Sequence, residues 1–88
     1  MDKDIFDLLS LRGTRKILEE LVKKGPVRYS DLVRVVGFST TTTRALKRME
    51  ELGMVKKKVL AEPYRPVEYS LTSKGRKLAE IVGKLDAL

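Results

Sequence analysis

Apolar residues recur at intervals of three and four over most of this chain, and this spacing predicts a mainly helical protein. A short helix is predicted within residues 2–10, where aspartates precede the apolar residues and suit the positive end of the helix dipole. A second helix is predicted from Thr14, as a possible N-terminal cap, to Gly25. Its predicted buried face consists of Ile17, Leu18, Leu21 and Val22.

Two further helices are predicted on either side of a tight turn, which is the pattern of a helix-turn-helix. A short extended segment, VRY, leads into a helix that Ser30 caps and Gly37 ends. Phe38 is expected to anchor the turn in the core, Ser39 to cap the next helix, and Tyr29 to be a core residue. The first helix of the pair is predicted to bury Leu32, Val35 and Val36.

The helix after this turn begins with four consecutive threonines, although threonine is a poor helix former. Apolar spacing predicts that its buried face consists of Thr42, Ala45, Leu46, Met49 and Leu52. The outward face is then predicted to carry Thr40, Thr41, Thr43, Arg44, Lys47 and Arg48.

Beyond Gly53 the pattern changes to the alternation that is typical of strands. The segments MVKKKVL and VEYSLT flank a turn with two prolines, which predicts a two-stranded antiparallel hairpin. Thr72 can cap a last helix. The apolar stripe of that helix comprises Leu78, Ile81, Val82, Leu85 and Leu88.

This order of elements predicts a winged helix-turn-helix, a mainly α fold with a small antiparallel β-hairpin as its wing. We expect a single domain over residues 1–88, in which a three-helical DNA-binding core with its wing occupies residues 12–71. The wing itself is expected at residues 54–71, and the terminal helices at 1–10 and 72–88.

The composition points to an anionic partner rather than to catalysis. The chain has a formal net charge of +7 and neither cysteine nor histidine, so it lacks common metal ligands and general bases. We expect no enzymatic activity, no metal and no cofactor. No apolar run approaches the ~20 residues that span a bilayer, and the acidic N-terminus is unlike a signal peptide, so we expect no membrane partner and a cytoplasmic location. Abundant Lys, Arg and Glu without Asn or Gln resembles the composition of proteins from heat-loving organisms.

The threonines and the basic residues after them predict contact with double-stranded DNA. Short hydroxyl side chains at a helix N-terminus allow close approach to DNA and can bond phosphates or base edges. Residues 39–65 contain seven basic and three acidic residues. Two alternatives are that the threonines only fill the first helical turn and that Lys56–Lys58 protects a strand edge. The predicted DNA-binding residues are Arg28, Ser30, Ser39, Thr40, Thr41, Thr43, Arg44, Lys47, Arg48, Lys56, Lys58 and Arg65.

The terminal helices carry apolar surface that either packs onto the domain's own core or pairs with a second subunit. We favour a homodimer, since two-fold symmetry would place two recognition helices roughly 34 Å apart, one DNA turn. The predicted dimer interface comprises Ile5, Phe6, Leu9, Leu78, Ile81, Val82, Leu85 and Leu88.

Three segments in order, RYSDL, LKRMEELGMV and RPVEYSLTSKG, resemble the HxlR family of winged-helix transcriptional regulators, and more broadly the related MarR and ArsR regulators. The resemblance extends over residues 12–82. It implies a dimeric DNA-binding repressor or activator with residues 40–48 as recognition helix and 56–67 as wing. The family often carries a cysteine near its N-terminus that senses oxidants or electrophiles. This chain has no cysteine, so that property does not carry over.

These observations favour a sequence-specific homodimeric regulator of transcription. An architectural chromatin protein with low sequence specificity is the alternative, and it would bind through phosphates with a steep salt dependence. A winged helix that binds only other proteins is a third class, which the basic surface disfavours. A role at a membrane surface would require the last helix to act as a basic amphipathic helix.

Overall fold

The computed structural model describes residues 3–88 and contains, within that range, five helices and three strands. The helices are α1 (Lys3–Ser10), α2 (Thr14–Lys24), α3 (Tyr29–Val36), α4 (Ser39–Glu51) and α5 (Ser73–Asp86). The strands are β1 (Val27–Arg28), β2 (Val55–Val59) and β3 (Val67–Leu71). This confirms the predicted mainly helical winged helix-turn-helix with both terminal helices.

Helix α2 lies at the centre of the molecule and contacts all four other helices as well as β1 and β3. Its buried residues Ile17, Leu18 and Leu21 meet apolar residues from every other helix, including Leu8 of α1 and Leu46 of α4. Each fully buried aliphatic side chain contributes roughly 1.5–3 kcal/mol. This shared core therefore fixes how α4 and the wing are placed relative to each other.

The sheet has the order β1-β3-β2 and is antiparallel throughout, so a third strand joins the predicted two-stranded wing. The hairpin itself forms as expected, with Val55 opposite Leu71. The third strand comprises the first two residues of the VRY segment, and it pairs Val27 with Tyr69 and Arg28 with Glu68. It satisfies backbone groups on the open edge of β3, which sequence alternation alone does not reveal.

Helix α4 buries the residues that its spacing predicts. Thr42, Ala45, Leu46 and Met49 are buried, and Leu52 is half-buried against the core. The Thr42 hydroxyl donates a 2.7 Å hydrogen bond to the Phe38 carbonyl oxygen, so this inward threonine satisfies its own polar group at the helix start.

The predicted cap of α2 is wrong. Gly13 occupies the cap position, where its φ of 91° is the left-handed conformation that favours glycine. Thr14 lies inside the helix and is fully buried. Its hydroxyl oxygen has no hydrogen-bond partner within residues 3–88. The turn between α1 and α2, rather than a side-chain cap, sets this helix start.

The predicted caps of α3 and α4 are also wrong. Helix α3 begins at Tyr29, with Arg28 rather than Ser30 in the cap position. Helix α4 begins at Ser39, with Phe38 in the cap position. Neither cap residue makes a side-chain cap hydrogen bond. Helix α3 thus starts two residues, and α4 one residue, before the position that the polar residues indicate.

Three apolar residues predicted to face inward lie at the surface. Phe38 is 64% exposed, because the extended backbone between α3 and α4 directs it away from the core. Val22 and Val35 are 59% and 36% exposed. Each of these two valines is next in sequence to a buried residue of its helix, Leu21 and Val36 respectively. These neighbours occupy the core instead.

Helix α5 starts as predicted, since the Thr72 hydroxyl accepts a 3.1 Å hydrogen bond from the Gly75 backbone N–H. Gly75 is buried where α5 crosses the start of β2, and a Cβ built there would lie 2.0 Å from the Met54 carbonyl oxygen. Leu78 and Val82 pack into the core of their own chain. The alternative that α5 folds onto this core is therefore correct for these two residues.

Candidate nucleic-acid interface

The outward face of α4 carries a ridge formed by Thr40, Arg44 and Lys47, all of them exposed. Among residues 3–88, neither Arg44 nor Lys47 forms an ion pair or a side-chain hydrogen bond. Both cations are therefore available to an external partner. They lie at three-residue spacing on one helix face, as the sequence predicts.

Beside the ridge, on the side of α1, the predicted contacts Thr41 and Arg48 are half-buried. Arg48 donates a 3.2 Å hydrogen bond to Asp4 of α1 and lies 3.7 Å from a carboxylate oxygen of Glu51. Thr41 lies against Gly13, since a Cβ built at that glycine would be 3.4 Å from the Thr41 methyl carbon. This side of α4 is thus partly occupied by contacts within the chain.

On the opposite side of the ridge, Tyr29 and Thr43 share a short hydrogen bond. The phenol oxygen of Tyr29 lies 2.6 Å from the Thr43 hydroxyl oxygen and 3.5 Å from the Ser39 carbonyl oxygen. The body of Tyr29 packs against the core as predicted, whereas its hydroxyl reaches the surface. Tyr29 is not among the predicted binding residues, because no local pattern indicates this contact across the turn.

An open hollow of about 450 Å³ lies at this hydrogen-bonded pair. Five of the predicted DNA-binding residues therefore converge there, together with Tyr29. The residues that line the hollow are Tyr29, Ser39, Thr40, Thr43, Arg44 and Lys47.

Tyr69 of β3 lies near Tyr29 and has a raised pKa. Burial raises the pKa of its phenol, and the nearby Glu50 carboxylate and Tyr29 raise it further. Tyr69 therefore remains neutral at physiological pH and adds no charge to the surface. Glu50 itself lies 4.0 Å from the ammonium nitrogen of Lys57 in β2.

The wing lysines divide between the two faces of the sheet. Lys57 faces Glu50 of α4, whereas Lys56 lines a cleft that α2 and α5 form with the sheet. Lys58, two residues beyond Lys56, lies on the face of Lys56 by strand alternation. The wing lysine that faces α4 is therefore Lys57, which was not among the predicted contacts.

The tip of the wing is tied to the start of α3. Arg28 donates hydrogen bonds of 3.0 and 2.8 Å to the two carboxylate oxygens of Glu62. In the same loop, Arg65 has a φ of 44° and its backbone N–H bonds the Glu62 carbonyl oxygen at 2.9 Å. The Arg65 side chain is exposed and, within residues 3–88, unpaired. Ser30 is exposed beside Arg28.

The part of the chain described by the structure contains no cluster of three or more acidic, histidine or cysteine residues that could hold a metal ion. No helix between residues 3 and 88 is both long enough and apolar enough to cross a membrane.

The model of the HxlR-like helix-turn-helix family matches residues 8–88. The HTH-type transcriptional regulator YvaP of Bacillus subtilis strain 168 is 35% identical over 81 residues, which cover 90% of this chain and 74% of YvaP.

Two solved structures of regulators share this fold. The reduced form of YodB from B. subtilis matches with a TM-score of 0.79 and 28% identity, over 93% of this chain and 81% of that one. The regulator ytfH from Salmonella typhimurium matches with a TM-score of 0.84 and 26% identity, over 97% of this chain and 77% of that one.

Proposed function

Because this chain belongs to the HxlR-like helix-turn-helix family of transcriptional regulators, we propose that it acts as a homodimer that binds a specific double-stranded DNA sequence. The observation that carries the proposal is the ridge of Thr40, Arg44 and Lys47 on α4. It joins two cations that are unpaired within residues 3–88 to the hydroxyl-rich first turn of the second helix of a helix-turn-helix. In such motifs this helix enters the major groove.

Base readout by this helix is supported by the side chains that it offers. Arginine and lysine read guanine, and a serine or threonine hydroxyl can bond any base edge. Exposed threonines at the start of α4 keep that end of the helix narrow, so the backbone can approach the groove floor. We assign base contacts to Thr40 and Arg44 and a base or phosphate contact to Lys47.

A homodimer is supported by apolar side chains that the domain leaves exposed. Phe6 of α1 is 62% exposed, and Ile81 and Leu85 of α5 are 41% and 50% exposed. Ile5 and Leu9 are half-buried and flank Phe6 in sequence. Leu88 is fully exposed. Pairing through such surfaces would remove apolar area from water and present two copies of α4 to one duplex.

Selection of bound duplexes from a random pool tests this function. We expect enrichment of an inverted repeat whose half-sites are one DNA turn apart, roughly 34 Å. A single enriched half-site would contradict the dimer, and recovery of unrelated sequences with equal affinity would contradict sequence specificity.

The second outcome would favour an architectural chromatin-type protein. Exposed lysines on α5, such as Lys77 and Lys84, could support phosphate contacts without regard to sequence. Competition with random DNA separates the two functions, because only a specific complex survives an excess of random duplex. Absence of any DNA retardation at ~100 mM salt would contradict both functions, since several phosphate contacts give measurable binding there.

A further inference from the structure

We propose that the hollow between α4 and the start of α3 seats one phosphate of the DNA backbone, with the hydroxyls of Tyr29 and Thr43 as its ligands. The inference rests on the proposed binding of DNA and assigns Tyr29 a role that the sequence did not indicate. Tyr29 is the first residue of α3 and Thr43 lies one turn into α4, so the site joins both helices of the motif.

The shared hydrogen bond leaves this pair ready to donate. Two hydroxyl groups lie 2.6 Å apart, and either oxygen could be the donor in the bond between them. One of the two protons is used in that bond. The other is either on Thr43 or on Tyr29, where it faces the Ser39 carbonyl oxygen at 3.5 Å, a contact long enough for a stronger acceptor to displace. A phosphodiester oxygen carries negative charge and is a stronger acceptor than a neutral base atom.

The position of the hollow matches the path of a DNA strand. When α4 occupies the major groove and the wing reaches the adjacent minor groove, the sugar-phosphate strand that separates the two grooves must pass between them. Tyr29 lies in that interval. Its hydroxyl contacts Thr43 of α4, and the preceding residue, Arg28, bonds Glu62 of the wing. A base edge would instead meet the outermost ridge of α4.

The charges around the hollow suit a phosphate. Arg44 and Lys47 line it, and none of the described residues that line it is acidic. The neighbouring Glu50 is directed to Lys57 of the wing, at 4.0 Å. A single monoanionic group placed in the hollow would therefore meet two cations and a hydroxyl donor.

Methylphosphonate scanning of a duplex that the protein binds tests this site. Each substitution replaces one charged phosphate oxygen with a methyl group at a known position. For the unmodified protein, we expect one phosphate position in each half-site at which the methylphosphonate weakens binding about 10-fold. A loss of this size is typical when a hydrogen bond to a charged group is removed. The variants Tyr29→Phe and Thr43→Val should weaken binding to the unmodified duplex, and their sensitivity should fall at that position alone, where Arg44 and Lys47 still meet the phosphate charge.

The other phosphate positions serve as internal controls, since both variants should keep full sensitivity there. Thermal unfolding should remain cooperative in both variants, and Thr43→Val tests the same site at a residue that is exposed. If both variants retain the full effect at every position, the phosphate site is wrong although DNA binding stands. If Tyr29→Phe changes only base preference, the hollow contacts a base and the inference is wrong. If the unmodified protein binds no duplex, the inference fails together with the proposed function.

Discussion

The four consecutive threonines of α4 occupy four different environments. Thr40 is exposed on the outward ridge, and Thr41 is half-buried beside Gly13. Thr42 is buried and bonds a carbonyl oxygen of the preceding turn, whereas Thr43 bonds the Tyr29 phenol. Each hydroxyl or methyl group thus has a separate use, which offsets the low helix propensity of the run.

At the residue scale, we expect Arg44→Ala to weaken specific DNA binding by about 1 to 3 kcal/mol and to relax specificity at one base position. Arg44 is exposed on the ridge and forms no ion pair within residues 3–88, so its loss is not compensated inside the protein. Titration of the selected duplex measures the effect. Lys84→Ala on α5 removes the same charge far from α4 and serves as control. An unchanged affinity for the cognate site in Arg44→Ala would show that another face of α4 reads the DNA.

Helix α5 packs closely on the start of the wing at Gly75. The Cβ of Gly75→Ala would lie 2.0 Å from the Met54 carbonyl oxygen, so α5 must move away from the start of β2. We expect a loss of stability of about 1 to 3 kcal/mol, as for other overpacked sites. Chemical denaturation measures this loss.

Gly83→Ala is the matched control in the same helix. A Cβ at Gly83 meets nothing within 4 Å. Its alanine variant should therefore be more stable than the natural chain by about 0.5 to 1 kcal/mol, the difference in helix propensity. Equal responses of the two glycine variants would contradict the close crossing of α5 over the wing.

At the scale of elements, ion pairs connect the proposed DNA-binding helix and wing to the rest of the chain. Asp4 of α1 engages Arg48 of α4, and Glu62 of the wing loop engages Arg28 at the start of α3. Both pairs are solvent-exposed, so each is worth only about 0.2–1 kcal/mol. They stabilise the fold little, but DNA phosphates must compete with these carboxylates for the two arginines.

We therefore expect Arg48→Ala to weaken DNA binding less than Arg44→Ala does, although the two residues lie one turn apart on α4. Arg48 already interacts with Asp4 and Glu51 in the free protein, so part of any DNA contact replaces an existing one. Parallel titrations at one salt concentration compare the variants. Asp4→Asn supplies a further check, because release of Arg48 should raise the affinity. A larger loss for Arg48→Ala would show that the pair with Asp4 opens without cost on binding.

At the scale of the whole molecule, the two terminal helices leave separate apolar faces. Helix α1 packs on α2 and α4, whereas α5 packs on α2 and β3. The molecule is elongated, with extents of 44 × 24 × 23 Å. A two-fold dimer through the α5 face would lie away from the outward face of α4, since α5 packs on α2 and β3.

We expect Leu85→Glu to shift the protein from dimer to monomer, because it places a charge on an apolar side chain that is 50% exposed and outside the core. Sedimentation velocity measures the association state. Ser73→Glu adds the same charge to an exposed position at the start of α5 and should leave the dimer intact. Binding to the inverted repeat should weaken with the loss of the dimer. A natural chain that sediments as a monomer at high concentration would contradict the dimer.

The sequence alone determined the order of the elements, the buried face of α4, the hairpin and the Thr72 cap. These features depend on apolar periodicity and turn chemistry, which act between residues a few positions apart. The exposed basic face of α4 follows from the same periodicity. Its assignment to DNA stays a prediction until binding is measured.

Only the tertiary structure decided which residues meet across the fold. It added β1 to the sheet, exposed Phe38, and divided α5 into a core face at Leu78 and an exposed face at Leu85. Arg48 meets Asp4, 44 residues away, and Tyr29 meets Thr43 across a turn. Such contacts depend on how complete helices pack around α2. Because packing is decided by shape and burial over the whole core, the chain carries no local signal for these contacts.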